Sequence, residues 1–434
     1  MNINWCVYPI RTDNYSSLNK KCGNKQAEKD NSAAYKKEIS SAKVSADLFS
    51  AYNGIRAKAD AKQNIPQKIQ AELAERSSSL YREFDEHIKE ATAQIEEEFG
   101  DLETKDKITG RAKSELSILK KIERKYKDGA LKSTDINECR EAIGDAYGTR
   151  IQMKNLTKEQ AEQIISQYNV SYDEFTAFMN NDKSKLSIDK TDFLETAKNE
   201  ILEKLKETQS QEVADRLVEA IKSGKIVITE LNNYGSELSS YFTTKQLHQI
   251  IDAYYEKTAT PLTIVTSQDL TNDSSGIKFD ENNVENYKVN TDTSRAVKKS
   301  GYTSAQMNVI HTFSDGKTGN GEFQIRGIKV NDLADAEHIP YDIRKGKITK
   351  EDIEKIDKYK KYEEIYNIIK NMEDKTYKKY NKFLSDTYRA MRLQELGIEV
   401  ETPNIYSFFD ENEIPGEAFK ILSIDGLVKI NKKN

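Results

Sequence analysis

Between Gly321 and His338 the chain changes period within one unbroken run. In GEFQIRGIKVNDLADAEH, Glu322, Gln324 and Arg326 alternate with Phe323 and Ile325, which predicts a strand with one apolar and one polar side. From Val330 the spacing is helical, with Val330, Leu333, Ala334 and Glu337 on one side. The apolar side of such a strand belongs in a core. The other side then carries a carboxylate, an amide and a guanidinium in a row, either as solvated surface or as the floor of a site.

The same two periods recur along the chain. YGTRIQM (147–153), KIVITEL (225–231), PLTIV (261–265) and residues 303–313 read as strands. The last of these connects to the 321–328 strand through SDGKTGN, whose Asp-Gly and Gly-Asn pairs suit a turn. Helical spacing marks 35–100, broken near Asn64-Ile65-Pro66, with Leu73, Leu80, Phe84, Ile88 and Ile95 in register. It also marks 107–128, 155–222, the stretch TTKQLHQIIDAYYEK, and the Lys- and Tyr-rich chain from 350 onwards. Residues 1–34 are polar, and 268–300 are rich in Asn, Asp and Ser, which predicts loops with short strands. The expected class is α+β: a mixed sheet flanked by helices, with helical N-terminal, insertion (about 155–222) and C-terminal segments.

Composition narrows the function. The chain is 434 residues long, 32% charged and 36% hydrophobic, with 23 Tyr, enough apolar material for a core despite its polarity. No apolar run approaches a membrane span, and MNINWCVYPIRTDNYSS shows no basic segment followed by a long apolar one. Cys6, Cys22 and Cys139 form no metal spacing and cannot all pair within the chain. A reducing compartment fits, and export without a cleaved signal stays open. The net charge of −5 argues against a nucleic-acid coat but leaves room for a local basic pocket. DKSKLSIDKTDF lacks the central Gly and closing Glu of a calcium loop. His87, His248 and His311 read as structural or exposed.

Three constellations carry chemistry. In GRAKSELSILKKIERKYK, Lys113, Ser117 and Lys121 are four residues apart, which predicts one helical stripe with Arg111 a turn earlier. The stripe matches either a row of phosphate oxygens or an ordinary solvated basic face. In GDAYGTRIQM, Asp145 precedes a strand and Arg150 follows five residues on. A lone carboxylate there is a turn residue; with a partner, it could hold a hard cation such as Mg²⁺ beside substrate phosphates. Glu322 is the natural partner, while Gln324 can hydrogen-bond but not ionise. In KKSGYTSAQMNV, Tyr302 follows a Gly and is either core or a stacking surface for a base.

Taken in order, these stretches resemble the synthetase domain of the RelA/SpoT family of alarmone synthetases. Arg111, Lys113, Ser117 and Lys121 match the family's Arg-x-Lys-x-x-x-Ser-x-x-x-Lys pattern, and Asp145 and Arg150 match its Asp and Arg. Gly301, Tyr302 and Ser304 match Gly-Tyr-x-Ser. Glu322, Gln324, Arg326 and Asn331 match Glu-x-Gln-x-Arg and the Asn beyond it, and Glu337, His338 and Tyr341 match the closing Glu-His and Tyr. The resemblance covers roughly 105–150 and 225–345, with a weaker likeness to about 400.

The resemblance implies a nucleotidyltransferase-like fold related to polymerase β, in a synthetase domain over 101–400. A polar leader and N-terminal helical region (1–100) precede it and a tail (401–434) follows. It implies transfer of the ATP β,γ-pyrophosphate to the 3′-hydroxyl of a purine nucleotide. Arg111, Lys113, Ser117, Lys121 and Arg150 would bind ATP, and Asp145 and Glu322 would bind Mg²⁺ as the catalytic pair. Tyr302, Gln306, Gln324, Asn331 and His338 would line the acceptor pocket. Gln306 stands where the family has a His, which leaves the acceptor open among GDP or GTP, adenosine nucleotides and the 3′ end of tRNA, with the Lys-rich 345–382 region as the tRNA surface. The connection from Asp145 to Glu322 is far longer than in compact family members, and no paired His-Asp hydrolase domain is present. A toxin or effector acting in a cytoplasm, restrained by an antitoxin or immunity protein, fits that lack. A catalytically silent nucleotide- or partner-binding module is the contrasting reading, disfavoured because both carboxylates are in place.

Overall fold

In the computed structural model, which describes residues 65–270, 287–289, 296–409 and 427–428, a seven-stranded mixed sheet organises the chain. Its strands are β1 (Lys105–Ala112), β2 (Tyr147–Met153), β3 (Val227–Tyr234), β4 (Leu262–Thr266), β5 (Tyr287–Val289), β6 (Ser304–Thr312) and β7 (Thr318–Gly327). They lie in the order β1-β2-β7-β6-β3-β4-β5. β2 runs parallel to β7, and β3 to β4 and β4 to β5, while the remaining neighbours are antiparallel. The fold is α+β, as the alternation of periods predicts. The polar leader and the helical stretch ahead of residue 65 lie outside the described residues.

One side of the sheet is apolar because the period-two pattern of every central strand points the same way. Ile151, Met153, Phe323, Ile325, Ala305, Met307 and Leu231 form the main core there. Three helices cover it: α1 (Gln67–Phe99) through Ile95 and Phe99, α6 (Ile188–Ser223) through Val213, Leu217 and Ile221, and α7 (Thr244–Thr258) through Leu247, Ile250 and Ile251. The first part of α6 belongs to a second cluster. Its Leu194, Ile201 and Leu205 pack with α4 (Lys158–Ser166), α5 (Tyr172–Met179) and the end of the long C-terminal helix α11 (Asp374–Glu395). The 155–222 segment is thus helical, and its last third is built into the main core.

The other side of the sheet is polar across four strands. Cross-strand partners share a face, and the register aligns Gly148, Arg150 and Gln152 of β2 with Glu322, Gln324 and Arg326 of β7. Asn308 and Gln306 of β6 follow, and then Glu230 and Asn232 of β3. α8 (Ile328–Arg344) starts directly after β7 and packs with α10 (Glu363–Lys370) and α11 in a third cluster that includes Val330, Leu333, Ile365, Phe383 and Tyr388.

One expectation fails. The predicted 107–128 helix is the strand β1 followed by α2 (Glu115–Lys127), so Lys113 lies ahead of the helix rather than on its stripe. Two facts account for the strand. Gly110 passes so close to α1 that a Cβ there would sit 1.8 Å from Thr92 Oγ1. Pairing of β1 with β2 also satisfies backbone groups that a helix would have used internally. The helix begins only after Ser114, with Ile118 and Ile122 buried against α1. Two further helices are α3 (Ile136–Glu141) and α9 (Lys350–Lys355).

Candidate active site

The sheet ladder extends one step beyond β1, β2 and β7 and thereby gathers the charged groups. Lys113 N–H donates to Ala146 O at 2.9 Å, and Ala146 N–H to Asn320 O at 3.0 Å. Asp145 therefore lies at the mouth of the polar face, beside the strand that carries Glu322. Lys113 Nζ donates to Asp145 Oδ2 at 2.7 Å, and Lys121 Nζ reaches from α2 to Oδ1 at 2.6 Å. Burial pushes the Asp145 carboxyl up, but the two ammonium groups outweigh it and hold it at about 2. Glu322 is pushed above its ordinary range, first by burial and then by the Asp145 charge. Its carboxylate accepts a hydrogen bond from Gln324 Nε2.

Arg111 and Arg150 flank this pair. Arg111 is exposed on β1 opposite Gly148, and the missing side chain of Gly148 leaves space beside the Arg111 stem. Arg150 is half-buried and donates to Gln324 Oε1 at 3.2 Å, to Asn331 Oδ1, and to Asp335 Oδ1 at 3.3 Å. Burial, followed by the neighbouring Arg326 charge, weighs against the Arg150 charge, so positive groups are crowded here. Such crowding favours an anionic ligand. Ser117 is exposed and hydrogen-bonds to Ser114 Oγ at 2.9 Å.

The residues expected to line an acceptor pocket do not all sit together. Gln306 and Gln324 are paired across β6 and β7 on the polar floor, and Asn331 lies next to them through Arg150. Tyr302 stands at the far end, its ring 6.1 Å from Tyr234 and 6.0 Å from Tyr388. The Arg326 guanidinium lies 4.9 Å over the Tyr302 ring and donates to its hydroxyl. Tyr302 is half-buried. His338 is half-exposed on α8 and faces Asp342 Oδ2 at 3.5 Å. His248 and His311 are buried.

Sequence reasoning missed Asp335, which shares Arg150 with Asn331, and it set Arg326 in one site-facing row with Glu322 and Gln324. Asp335 is four residues from Asn331 and hydrogen-bonds to it at 3.2 Å, a helical spacing that was available as a signal. Arg326 is 5% exposed, so it acts beneath Tyr302 rather than on the open floor.

Two carboxylates whose charges oppose each other, beside a basic helix, suit one hard cation that takes its remaining ligands from phosphate and water. No cluster of three or more His, Cys, Asp or Glu among the described residues forms a self-sufficient metal cage. The donor set fits a cation brought in with a phosphate ligand. No helix among the described residues is long and apolar enough to cross a membrane.

No family model matches the chain, and no curated protein does. Among solved structures it is similar to the crystal structure of the small alarmone synthetase 1 from Bacillus subtilis bound to its product pppGpp. That match has 15% identity and a TM-score of 0.25, and covers 74% of this chain and 96% of that one. A likeness of this size carries no functional weight, which rests instead on the side chains described above.

Proposed function

We propose that the chain is a pyrophosphokinase that moves the β,γ-pyrophosphate of ATP to the 3′-hydroxyl of a purine nucleotide. The observation that supports this most is the meeting of Asp145, Glu322, Lys113 and Lys121 at the edge of a polar sheet face lined by Arg150, Gln324 and Gln306. Transfer of phosphate groups depends mainly on positioning and on neutralising charge, and this set supplies both.

On this reading Lys113, Lys121 and Arg111 bind the ATP phosphates, and Arg150 holds the acceptor side of the triphosphate. Mg²⁺, held by Asp145 and Glu322, would offset the charge on the transferred group. The acceptor 3′-oxygen attacks the β-phosphorus. The bond from that phosphorus to the oxygen it shares with the α-phosphate breaks, AMP leaves, and the 3′-hydroxyl proton passes to the Glu322 carboxylate. Tyr302 offers its ring to the acceptor base, and Gln324 orients Glu322. Growth arrest on expression is the expected cellular result.

The test is incubation with γ-labelled ATP and, separately, guanosine and adenosine mono-, di- and triphosphates and deacylated tRNA. Label carried into one acceptor class with release of AMP is the expected result. Release of labelled phosphate alone, or no turnover with every acceptor, would sink the reading.

A further inference from the structure

α8 begins without a cap of its own. Its N-cap is Gly327, with no side chain to accept from the first turn and no acidic residue in that turn. The acceptors come from elsewhere in the chain. Tyr241 Oη accepts from Gly327 N–H at 2.7 Å, and Glu395 Oε1, on the last residue of α11, accepts from Val330 N–H at 2.8 Å. Tyr241 O–H donates in turn to Glu395 Oε2 at 3.0 Å. Arg392 Nη1 lies 3.3 Å from the same oxygen, and its guanidinium sits 4.1 Å over the Tyr241 ring. Gln209 Oε1 accepts from Arg392 Nη1 at 2.6 Å.

Tyr241, Arg392 and Glu395 are all 0% exposed. Taking a charge fully out of water is costly unless it is paired and hydrogen-bonded, and apolar residues fill such a space at less cost. The carboxylate therefore contributes something that packing alone does not, and its place is the positive end of α8. Gly327 meets the same demand from the other side. A Cβ there would stand 2.0–2.2 Å from the Glu395 carboxyl atoms, although its φ of −77° suits any residue.

We infer that Glu395 is a positioning residue for the acceptor side of the site. It sets the residue at which β7 turns into α8 and, through that, the rotation at which Asn331 and Asp335 face Arg150. Each residue of an α-helix turns about 100°. A start shifted by one residue would carry Asn331 and Asp335 off Arg150 while leaving Glu322 and Gln324 in the strand. Of the ATP-side residues only Arg150 touches this junction, and it stays on β2 with Gln324 still accepting from it; those on β1 and α2 do not depend on the junction. The inference rests on the pyrophosphokinase reading for its kinetic consequence but not for its structural one.

The experiment measures the KM for ATP and for acceptor in Glu395→Ala, Glu395→Gln and Tyr241→Phe, with amide hydrogen exchange at Val330 in each. Glu395→Ala is expected to raise acceptor KM by about tenfold, the scale of one hydrogen bond to a charged group, with ATP KM within about twofold. Val330 protection should fall with it. Glu395→Gln, whose carbonyl can still accept from Val330, should recover most of the acceptor KM. If Glu395→Ala does not fold, Tyr241→Phe decides, by the same split. Equal rises in both KM values, or unchanged acceptor KM with Val330 protection retained, would overturn the inference. A wild-type protein that transfers nothing would sink the pyrophosphokinase reading alone. Exchange at Val330 would then decide the role of Glu395: protection lost in Glu395→Ala supports it, and protection kept overturns it.

Discussion

Lys121 Nζ lies 2.6 Å from Asp145 Oδ1 while Lys113 holds the other carboxylate oxygen at 2.7 Å, so both oxygens of the carboxylate are engaged by ammonium groups. A divalent cation approaching Asp145 would have to displace at least one of them. Polyphosphate would draw the lysines away and free the carboxylate. Mn²⁺ alone is therefore expected to bind weakly, and at least about tenfold more tightly with a non-hydrolysable ATP analogue present, a coupling of ordinary size. Titration calorimetry with and without the analogue checks this, and equal affinities would refute it.

The two carboxylates are expected to be indispensable for transfer and dispensable for folding. Asp145→Asn and Glu322→Gln should each reduce turnover by about a hundredfold or more, the scale seen when one electrostatic contact to a transition state is removed. Thermal unfolding should change little in Glu322→Gln, because burial already disfavours its charge. In Asp145→Asn the protein loses the stability that the two lysines confer above the ordinary carboxyl range and that falls away as pH drops towards about 2. Steady-state assays beside melting curves at pH 7 and pH 3 separate the two effects. Near-normal turnover in either variant would contradict the assignment.

Tyr302 sits between Tyr234, Tyr388 and Arg326, so its removal has a structural cost as well as a functional one. Tyr302→Ala is expected to lose about 1–3 kcal/mol of stability and to abolish acceptor use while ATP binding persists. Gln306→His should shift preference towards acceptors that carry a 5′ di- or triphosphate, since it places a potential cation on the floor beside Gln324. Competition among labelled acceptors measures both. Full activity in Tyr302→Ala would make the ring purely core.

Glu337 lines a cavity of about 10 Å³ with Tyr377, Tyr380 and Arg344, a space too small for a ligand. Burial, then the Asp342 charge, pushes its carboxyl up to about 8. The folded value is raised, so the stability linked to this group is complete below the ordinary value of 4.5 and is lost as pH climbs to about 8. Glu337→Gln should remove that loss. The Tm of the variant relative to wild type is expected to rise from pH 4.5 to pH 8 and level off beyond. A difference independent of pH would show that the carboxyl titrates normally.

The strands β2, β6 and β7 and the start of α8 were legible in the sequence because alternation and helical spacing are local properties, set by where successive Cβ atoms point. The same locality made Glu322, Gln324 and Arg326 readable as one row. Tertiary structure decided the rest. The stretch around Gly110 is strand rather than helix because α1 passes too close and β2 offers it a partner, neither of which its own residues announce. Asp335 of α8 joins Arg150 only once β2 pairs with β7, and Arg326 slips beneath Tyr302 only once β6 pairs with β7. Gly327 lies where the two periods meet, and no local pattern marks it out. Its meaning comes from Glu395, which reaches the same point in space from the far end of another helix, and contacts of that kind depend on packing that no local period records.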